Sequence, residues 1–349
     1  MVIEFTSDVL EYVYKIKLDE FKCLAYLIKN NIGDSIFGFN YQKNFVYLNF
    51  DACNFLMEKF EDSIEFSKYN DNLQNILSSV ENFERIKIVP PNSSNNKFEI
   101  EYNLEKVKRL LNDIPEIIIE NINDEPIYES IIKIEEENIG LKKKSNYVYG
   151  NGGQVEYTTE NKIKKEQICI VITDRDEKYF GENNLRSTPN KLKALFEQNN
   201  ILGQHIIISY KNIEGLIPYR YVLNNLKNKK RNAFDKLYKI RKNKKWLNYF
   251  DFKAGLKKNL KSNGKLISES KQWWDTCFYW EENQDILSFL TNVSSLNDEI
   301  LVSGIPKYNF DNIPYEEFLN NSSKEQRQEY ERIGKSIYPW IVVNDYVVE

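Results

Sequence analysis

Histidine is almost missing from this chain of 349 residues: His205 is the only one. The four cysteines, Cys23, Cys53, Cys169 and Cys277, are scattered, so no zinc cluster or C-x-x-C pair can be built from them. A Ser-His-Asp triad would have to use His205, which heads the apolar run His205-Ile206-Ile207-Ile208 and reads as a core or strand-end residue. Nowhere do about 18 apolar residues run together, and the start, Met1-Val2-Ile3-Glu4-Phe5, carries neither a basic region nor a long apolar segment. With unpaired cysteines, this leads to the expectation of a soluble cytoplasmic protein with no membrane partner. Phosphate loops are missing too. The glycine cluster Tyr149-Gly150-Asn151-Gly152-Gly153-Gln154 lacks the G-x-x-x-x-G-K-S/T and G-x-G-x-x-G spacings, and reads either as a turn or as a place where backbone approaches metal or phosphate.

What the chain does have is a spaced set of acids. The run Ile117-Ile118-Ile119 ends at Glu120-Asn121-Ile122-Asn123-Asp124, and Ile168-Cys169-Ile170-Val171-Ile172 ends at Thr173-Asp174-Arg175-Asp176. Short β-branched runs bounded by polar turns predict buried strands of a parallel sheet. Carboxyl ends of such strands line the ligand crevice, so two strand ends bring four carboxylates toward a common place. Like charges at close range repel unless a proton or cation intervenes, and hard oxygen ligands favour Mg2+ or Mn2+ over zinc.

The length allows two or three domains. Residues 1–112 mix helical stretches (19–29 and 51–66) with strand-like alternation at 45–50 and 98–102, a small α/β or α+β module. The turn-rich Pro90-Pro91-Asn92-Ser93-Ser94-Asn95-Asn96 between strand-like segments suggests a hairpin. Residues 113–260 alternate strand and helix. Strands are predicted at 117–119, 168–172 and 204–209, a helix at 126–134 with proline in its first turn, and another through Phe196 capped by Ser187 or Thr188. Residues 261–349 form a mostly helical extension, with a helix at 315–335 and a terminal strand at 341–343. The fold class expected is therefore α/β, a Rossmann-like, mainly parallel sheet with flanking helices.

Net charge is only -4, but its distribution is uneven. Lys227, Lys229, Lys230, Arg231, Lys236, Lys239, Arg241, Lys242, Lys244 and Lys245 face one acid, Asp235, and are followed by lysines interleaved with Trp246, Tyr249, Phe250 and Phe252. Basic side chains neutralise phosphates and aromatics stack on bases, so the segment reads as a nucleic-acid surface or as a solvated helix face. Trp273, Trp274 and Trp280 read as core or interface anchors.

Glu-x-x-x-Asp after one strand and Asp-x-Asp after a later one resembles the Toprim domain, and the order of motifs is similar to that of the OLD (overcoming lysogenization defect) family nucleases and related bacterial phage-defence proteins. The resemblance covers about residues 113–260. In that family a third acid and a lysine follow, for which Glu214 in Lys211-Asn212-Ile213-Glu214-Gly215 and Lys253 in Phe252-Lys253-Ala254-Gly255 are the matching candidates. Asn121 stands where glycine often follows the first glutamate, and asparagine also accepts a left-handed backbone. Family members usually carry an ATPase domain, and this chain has no P-loop, so the resemblance implies either a separate ATPase or sensor protein as partner or an N-terminal module that replaces it.

The resemblance implies hydrolysis of DNA phosphodiester bonds, or RNA, with two Mg2+ or Mn2+ ions about 4 Å apart. Glu120 and Asp124 would bind one ion, Asp174 and Asp176 bridge or bind the other, and Glu214 complete the second site. Lys253 would neutralise the scissile phosphate. Arg175 and Lys178, with Lys229, Lys230, Arg231, Arg241, Lys242, Lys244 and Lys245, are the nucleic-acid-binding candidates. Restraint by a partner, a homo-oligomer or a ligand is expected of a nuclease that must spare its host. Each acid also has a plainer reading: Asp124 as a helix N-cap, Glu120 as the first solvated residue after a strand, Asp174 and Asp176 as turn caps. Two other functions fit the same residues: a non-cleaving nucleic-acid-binding protein, or a phosphotransfer or nucleotide-processing enzyme.

Overall fold

The computed structural model describes residues 1–33, 44–60, 85–94, 98–140, 142–150, 153–182, 187–198, 201–218, 220–222, 228–252, 255–262, 265–292 and 315–343. Two four-stranded sheets organise it, and every strand pairing within them is parallel. The first sheet has the order β2-β1-β3-β4, from β1 (Val2–Phe5), β2 (Phe45–Leu48), β3 (Arg85–Val89) and β4 (Glu99–Glu101). Helices α1 (Ser7–Ile16), α2 (Leu18–Gly33), α3 (Phe50–Lys59) and α4 (Leu104–Asn112) accompany it. The helix foreseen at 19–29 is α2, and the described part of the one foreseen at 51–66 is α3; residues 61–66 lie outside the described residues.

The hairpin expected around Pro90 is not formed. β3 and β4 run in the same direction, with Lys87 opposite Glu99 and Ile88 opposite Ile100, so the chain between them returns to start β4 afresh. Two consecutive prolines fix φ and remove two donors, which disfavours a tight two-residue turn. Parallel pairing puts Ile88 and Ile100, both buried, side by side on the core face.

The second sheet is built from β5 (Glu116–Ile119), β7 (Asn146–Tyr149), β8 (Cys169–Thr173) and β9 (Gly203–Ile207) in the order β7-β5-β8-β9. Its strands alternate with α5 (Glu125–Ile139), α6 (Val155–Lys164) and α7 (Thr188–Gln198), the last beginning just after Ser187. A short β6 (Lys142–Lys143) precedes β7. Ile117, Ile118 and Ile119 of β5 and the whole of β8 are buried, as expected of strands covered on both faces. Burying each such side chain contributes about 1.5–3 kcal/mol. Pro126 occupies the first turn of α5, and Gly140 ends it at a φ of 75°, the left-handed cap that glycine accepts without strain.

The rest is mainly helical: α8 (Asn228–Lys239), α9 (Trp246–Tyr249), α10 (Leu256–Leu260), an antiparallel pair β10 (Lys261–Ser262) and β11 (Lys265–Leu266), then α11 (Ser268–Thr276), α12 (Ile286–Asn292), α13 (Tyr315–Asn320) and α14 (Lys324–Ile341). The helix expected at 315–335 is broken in two, because Ser323 caps α14 through a reciprocal capping box with Gln326. β12 (Val342–Val343) then pairs antiparallel with β6. Buried apolar residues from both sheets and from α14 belong to one continuous cluster. No helix among the described residues is long and apolar enough to cross a membrane.

Gly203 opens β9 at a φ of 141°, and a Cβ there would lie 1.9 Å from the carbonyl oxygen of Cys169 on β8. Gly203→Ala should therefore disturb the β8–β9 pairing and lower stability by about 1–3 kcal/mol from backbone strain alone, read as a shift of the urea midpoint at constant slope.

Candidate metal site at the strand ends

β5 and β8 are neighbours, with Ile117 opposite Ile170 and Ile118 opposite Val171, so the residues that follow them emerge together at one edge of the sheet. The amide of Asp174 donates to Glu120 Oε1 at 3.3 Å, which joins the two acidic turns directly. After Glu120 the Asn121 side chain accepts from Asn123 N, closing the turn Ile122–Asp124 from which α5 starts. Asp124 stands at the N-cap position of α5 but its carboxylate makes no capping hydrogen bond. Both Asp124 and Asp174 are buried.

Tyr128, one helical turn after Asp124, reports on this group. Its side chain is buried, and its hydroxyl is held well above the ordinary tyrosine range, first by burial and then by the charges of Asp174, Asp124 and Glu120. Three of the sequence-predicted acids thus lie close enough to act on one phenol. Among the described residues, however, no three acidic, histidine or cysteine side chains converge closely enough to hold a metal ion.

Asp176 takes a different course. It is exposed, adopts a left-handed φ of 62°, and donates its amide to the carbonyl of Lys211 at 3.2 Å. Glu214 is buried in the turn Ile213–Leu216, which follows β9. Lys253 lies outside the described residues. The side chain that does stand beside the Asp176 turn is Lys211, whose Nζ is 3.4 Å from the Asp176 carbonyl and 3.9 Å from Asp251 Oδ2. Burial holds this ammonium below the usual lysine range, against the opposing pull of Asp251, Asp176 and Glu182. Asp251 is itself held, accepting from Asn212 Nδ2 and donating its amide to Asn259 Oδ1. A lone lysine in a lysine-rich chain carried no mark that could have singled it out in sequence.

The segment after β9 is fastened by α14. Glu329 accepts from the amide of Ser209 at 2.6 Å and from its hydroxyl at 2.7 Å, while Arg332 pairs with the same carboxylate and donates to the Ile207 carbonyl. Gln326 donates to the carbonyls of Gly215 and Ile217, and Tyr330 to that of Leu216. Sequence reasoning assigned α14 nothing. Its signal was available as Gln326, Glu329 and Tyr330, polar groups spaced on one helical face.

Among the nucleic-acid candidates, Arg175 is tied down: its Nη1 donates to the Tyr249 hydroxyl at 2.8 Å and its guanidinium lies 5.2 Å from that ring. Lys178 is partly buried, its carbonyl accepting from Asn259 and from the Trp274 indole. Arg241 folds over the Tyr238 ring. Arg231, Lys242, Lys244 and Lys245 are exposed, Lys244 with Glu325 at 3.8 Å. Lys229 and Lys230 fall in α8, their side chains outside the described residues. The aromatics interleaved with this segment are not stacking platforms. Trp246, Tyr249, Phe250 and Phe252 are buried, and Trp246 and Phe250 pack around Phe234. Trp274 is buried as an anchor, with Trp273 and Trp280 packed on the core.

The glycine cluster after β7 serves packing at Gly150. Its amide donates to Ile119, extending the β5–β7 ladder, and a Cβ there would lie 2.2 Å from Val155 Cγ2 of α6. Asn151 and Gly152 lie outside the described residues. All four cysteines are free thiols.

His205 lies on β9 with Nε2 2.9 Å from Thr173 Oγ1, and burial lowers its pKa to about 4. It stays neutral in the folded chain where an unfolded chain takes up a proton. Its contribution to stability is thus full above the ordinary histidine pKa of about 6.5 and is lost as pH falls toward 4, about 3 kcal/mol in total. Histidine-selective NMR, which here reads one residue, should give a midpoint near 4, and His205→Gln should flatten the fall in stability between about pH 6.5 and 5. A midpoint near 6.5 would contradict this placement.

The chain matches no family model, no curated protein and no solved structure in the comparisons made.

Proposed function

We propose that this chain is a Toprim-like, Mg2+- or Mn2+-dependent nuclease that hydrolyses phosphodiester bonds of DNA. The observation that carries the reading is the meeting of the Glu120 and Asp174 turns at the adjoining carboxyl ends of two parallel strands, where the Asp174 amide donates to Glu120 Oε1 at 3.3 Å, with Asp124 on the turn that follows Glu120. The donor set fits a hard divalent cation, being all carboxylate oxygen, with no histidine or thiol offered in its place. Glu120, Asp124 and Asp174 would hold one ion, and Asp176 and Glu214 would serve a second. Bound there, such ions supply an acidified water and charge neutralisation at the leaving oxygen.

The chain's own residues do the remainder. Tyr128 is kept protonated by burial first and then by the charges of Asp174, Asp124 and Glu120, so it stays a neutral phenol near them. A carboxylate of the set is the proton acceptor available to the attacking water, since His205 is engaged with Thr173 and is a weak base. The exposed Arg231, Lys242, Lys244 and Lys245 offer phosphate contacts. A role in defence against phage, with a separate ATPase or sensor as restraint, follows from the resemblance of motifs alone.

One observation favours a second reading, nucleic-acid binding without cleavage: no three metal-binding side chains among the described residues close on a single point. Mutual repulsion also keeps carboxylates apart until a cation joins them, so this geometry fits both readings. The two are separated by incubating supercoiled plasmid and single-stranded DNA with purified protein in EDTA, Mg2+ or Mn2+. Metal-dependent cleavage should fall at least ~100-fold in Asp174→Ala and in Glu120→Ala, the scale of losing one charge-stabilising group. Tight DNA binding without cleavage under every metal would support the second reading, and cleavage indifferent to both substitutions would sink the first.

A further inference from the structure

Lys211 is a nearly enclosed cation with little to hold it. Its side chain is 11% exposed, yet its ammonium has one long hydrogen bond, 3.4 Å to the Asp176 carbonyl, and a loose ion pair, 3.9 Å to Asp251. An ammonium carries three donors, and taking it out of water costs several kcal/mol unless they are filled. A lysine kept for structure alone would be expected to close on Asp251, as Lys271 does on Asp275 at 2.6 Å and on Asp285 at 2.8 Å. Here the opposite holds, and Lys178 is near enough to add repulsion. An ammonium with one long hydrogen bond and one loose ion pair has donors to spare for an anion.

The position is also built. Asn212 and Asn259 fix Asp251, the Lys211 amide donates to Asn248 at 2.6 Å, and the pairing of Asp176 with Lys211 continues the β8–β9 alignment beyond the strands. Lys211 and the acids therefore sit on the same edge of the sheet, on segments that run side by side.

We propose that Lys211 supplies the positive charge of this site, its ammonium contacting a substrate phosphate beside the Asp174–Asp176 turn. This rests on the nuclease reading for its substrate, and places on Lys211 the phosphate contact that motif order alone assigned to Lys253. The contact is a catalytic one, a cation meeting the phosphate that bears the developing charge.

The test uses Lys211→Met, close in shape without the charge, and Lys211→Arg, which keeps it. Two quantities are read on the full chain: the salt dependence of binding to a single-stranded oligonucleotide in EDTA, and kcat/KM for its cleavage with Mg2+ or Mn2+. Loss of one phosphate contact should reduce the slope of log Kobs against log salt by about 0.7. Cleavage should fall ~100-fold or more in Lys211→Met, Lys211→Arg should keep the slope, and thermal unfolding should be unchanged or raised, since an ill-paired buried charge is gone. Cleavage and slope both unchanged in Lys211→Met overturn the proposal and leave the nuclease reading standing. A reduced slope without cleavage by the unmodified chain does the reverse. A Lys211→Met chain that does not fold assigns Lys211 to structure and also overturns it.

Discussion

The pairing of β5 with β8 is the constraint on which the rest depends. Two isoleucine-rich strands, each without a polar side chain on either face between Ile117 and Ile119 or between Cys169 and Ile172, are stable only when helices cover both sides. That requirement forces parallel order with crossover helices, and parallel order puts both carboxyl ends at one edge. Glu120 and Asp174 meet there because Ile117 is opposite Ile170. A slip of one residue would carry Glu120 away from the Asp174 amide, so the register of these two strands sets the geometry of the site.

The carboxyl edge carries buried acids, which the apolar core beneath it does not solvate. Asp124, Asp174 and Glu214 are buried, and burial of a carboxylate is unfavourable unless hydrogen bonds, a proton or a cation compensates. α14 meets a separate demand, that of the backbone after β9. Its Glu329 and Arg332 satisfy the backbone of residues 207–209, and its Gln326 and Tyr330 satisfy the carbonyls of 215–217. The polar face of a helix near the end of the chain thus sets the path of the segment bearing Lys211 and Glu214. Stability of α14 and the geometry of that segment are coupled, although more than 100 residues separate them in sequence.

Legibility in the sequence followed burial. β5, β8 and β9 announced themselves because their apolar runs are continuous, and α5 because Pro126 and the Asp124 turn mark its start. β7 escaped notice, since Asn146-Tyr147-Val148-Tyr149 is a half-exposed edge strand behind a lysine run, and α6 after it is poor in apolar side chains. The first sheet was read as alternation without direction: four residues of β1 or β2 cannot declare whether their neighbour runs parallel. Glu120, Asp124 and Asp174 were legible because acids at strand ends have a geometric consequence. Lys211 was not, because its distinction is a scarcity of partners, which only three dimensions display.

The basic, aromatic segment shows how composition divides between folding and surface. Trp246, Phe250 and Phe252 face inward onto Phe234, so the rings that suggested base stacking are committed to the core. Lys242, Lys244 and Lys245, which precede them, point to solvent on a polar turn. Interleaving in sequence has become separation in space, rings inside and ammonium groups outside. On the proposed nuclease reading, what this segment offers a nucleic acid is electrostatic, and electrostatic contact alone carries little sequence information. On that reading, any preference for particular bases has to come from elsewhere on the molecule than these buried rings.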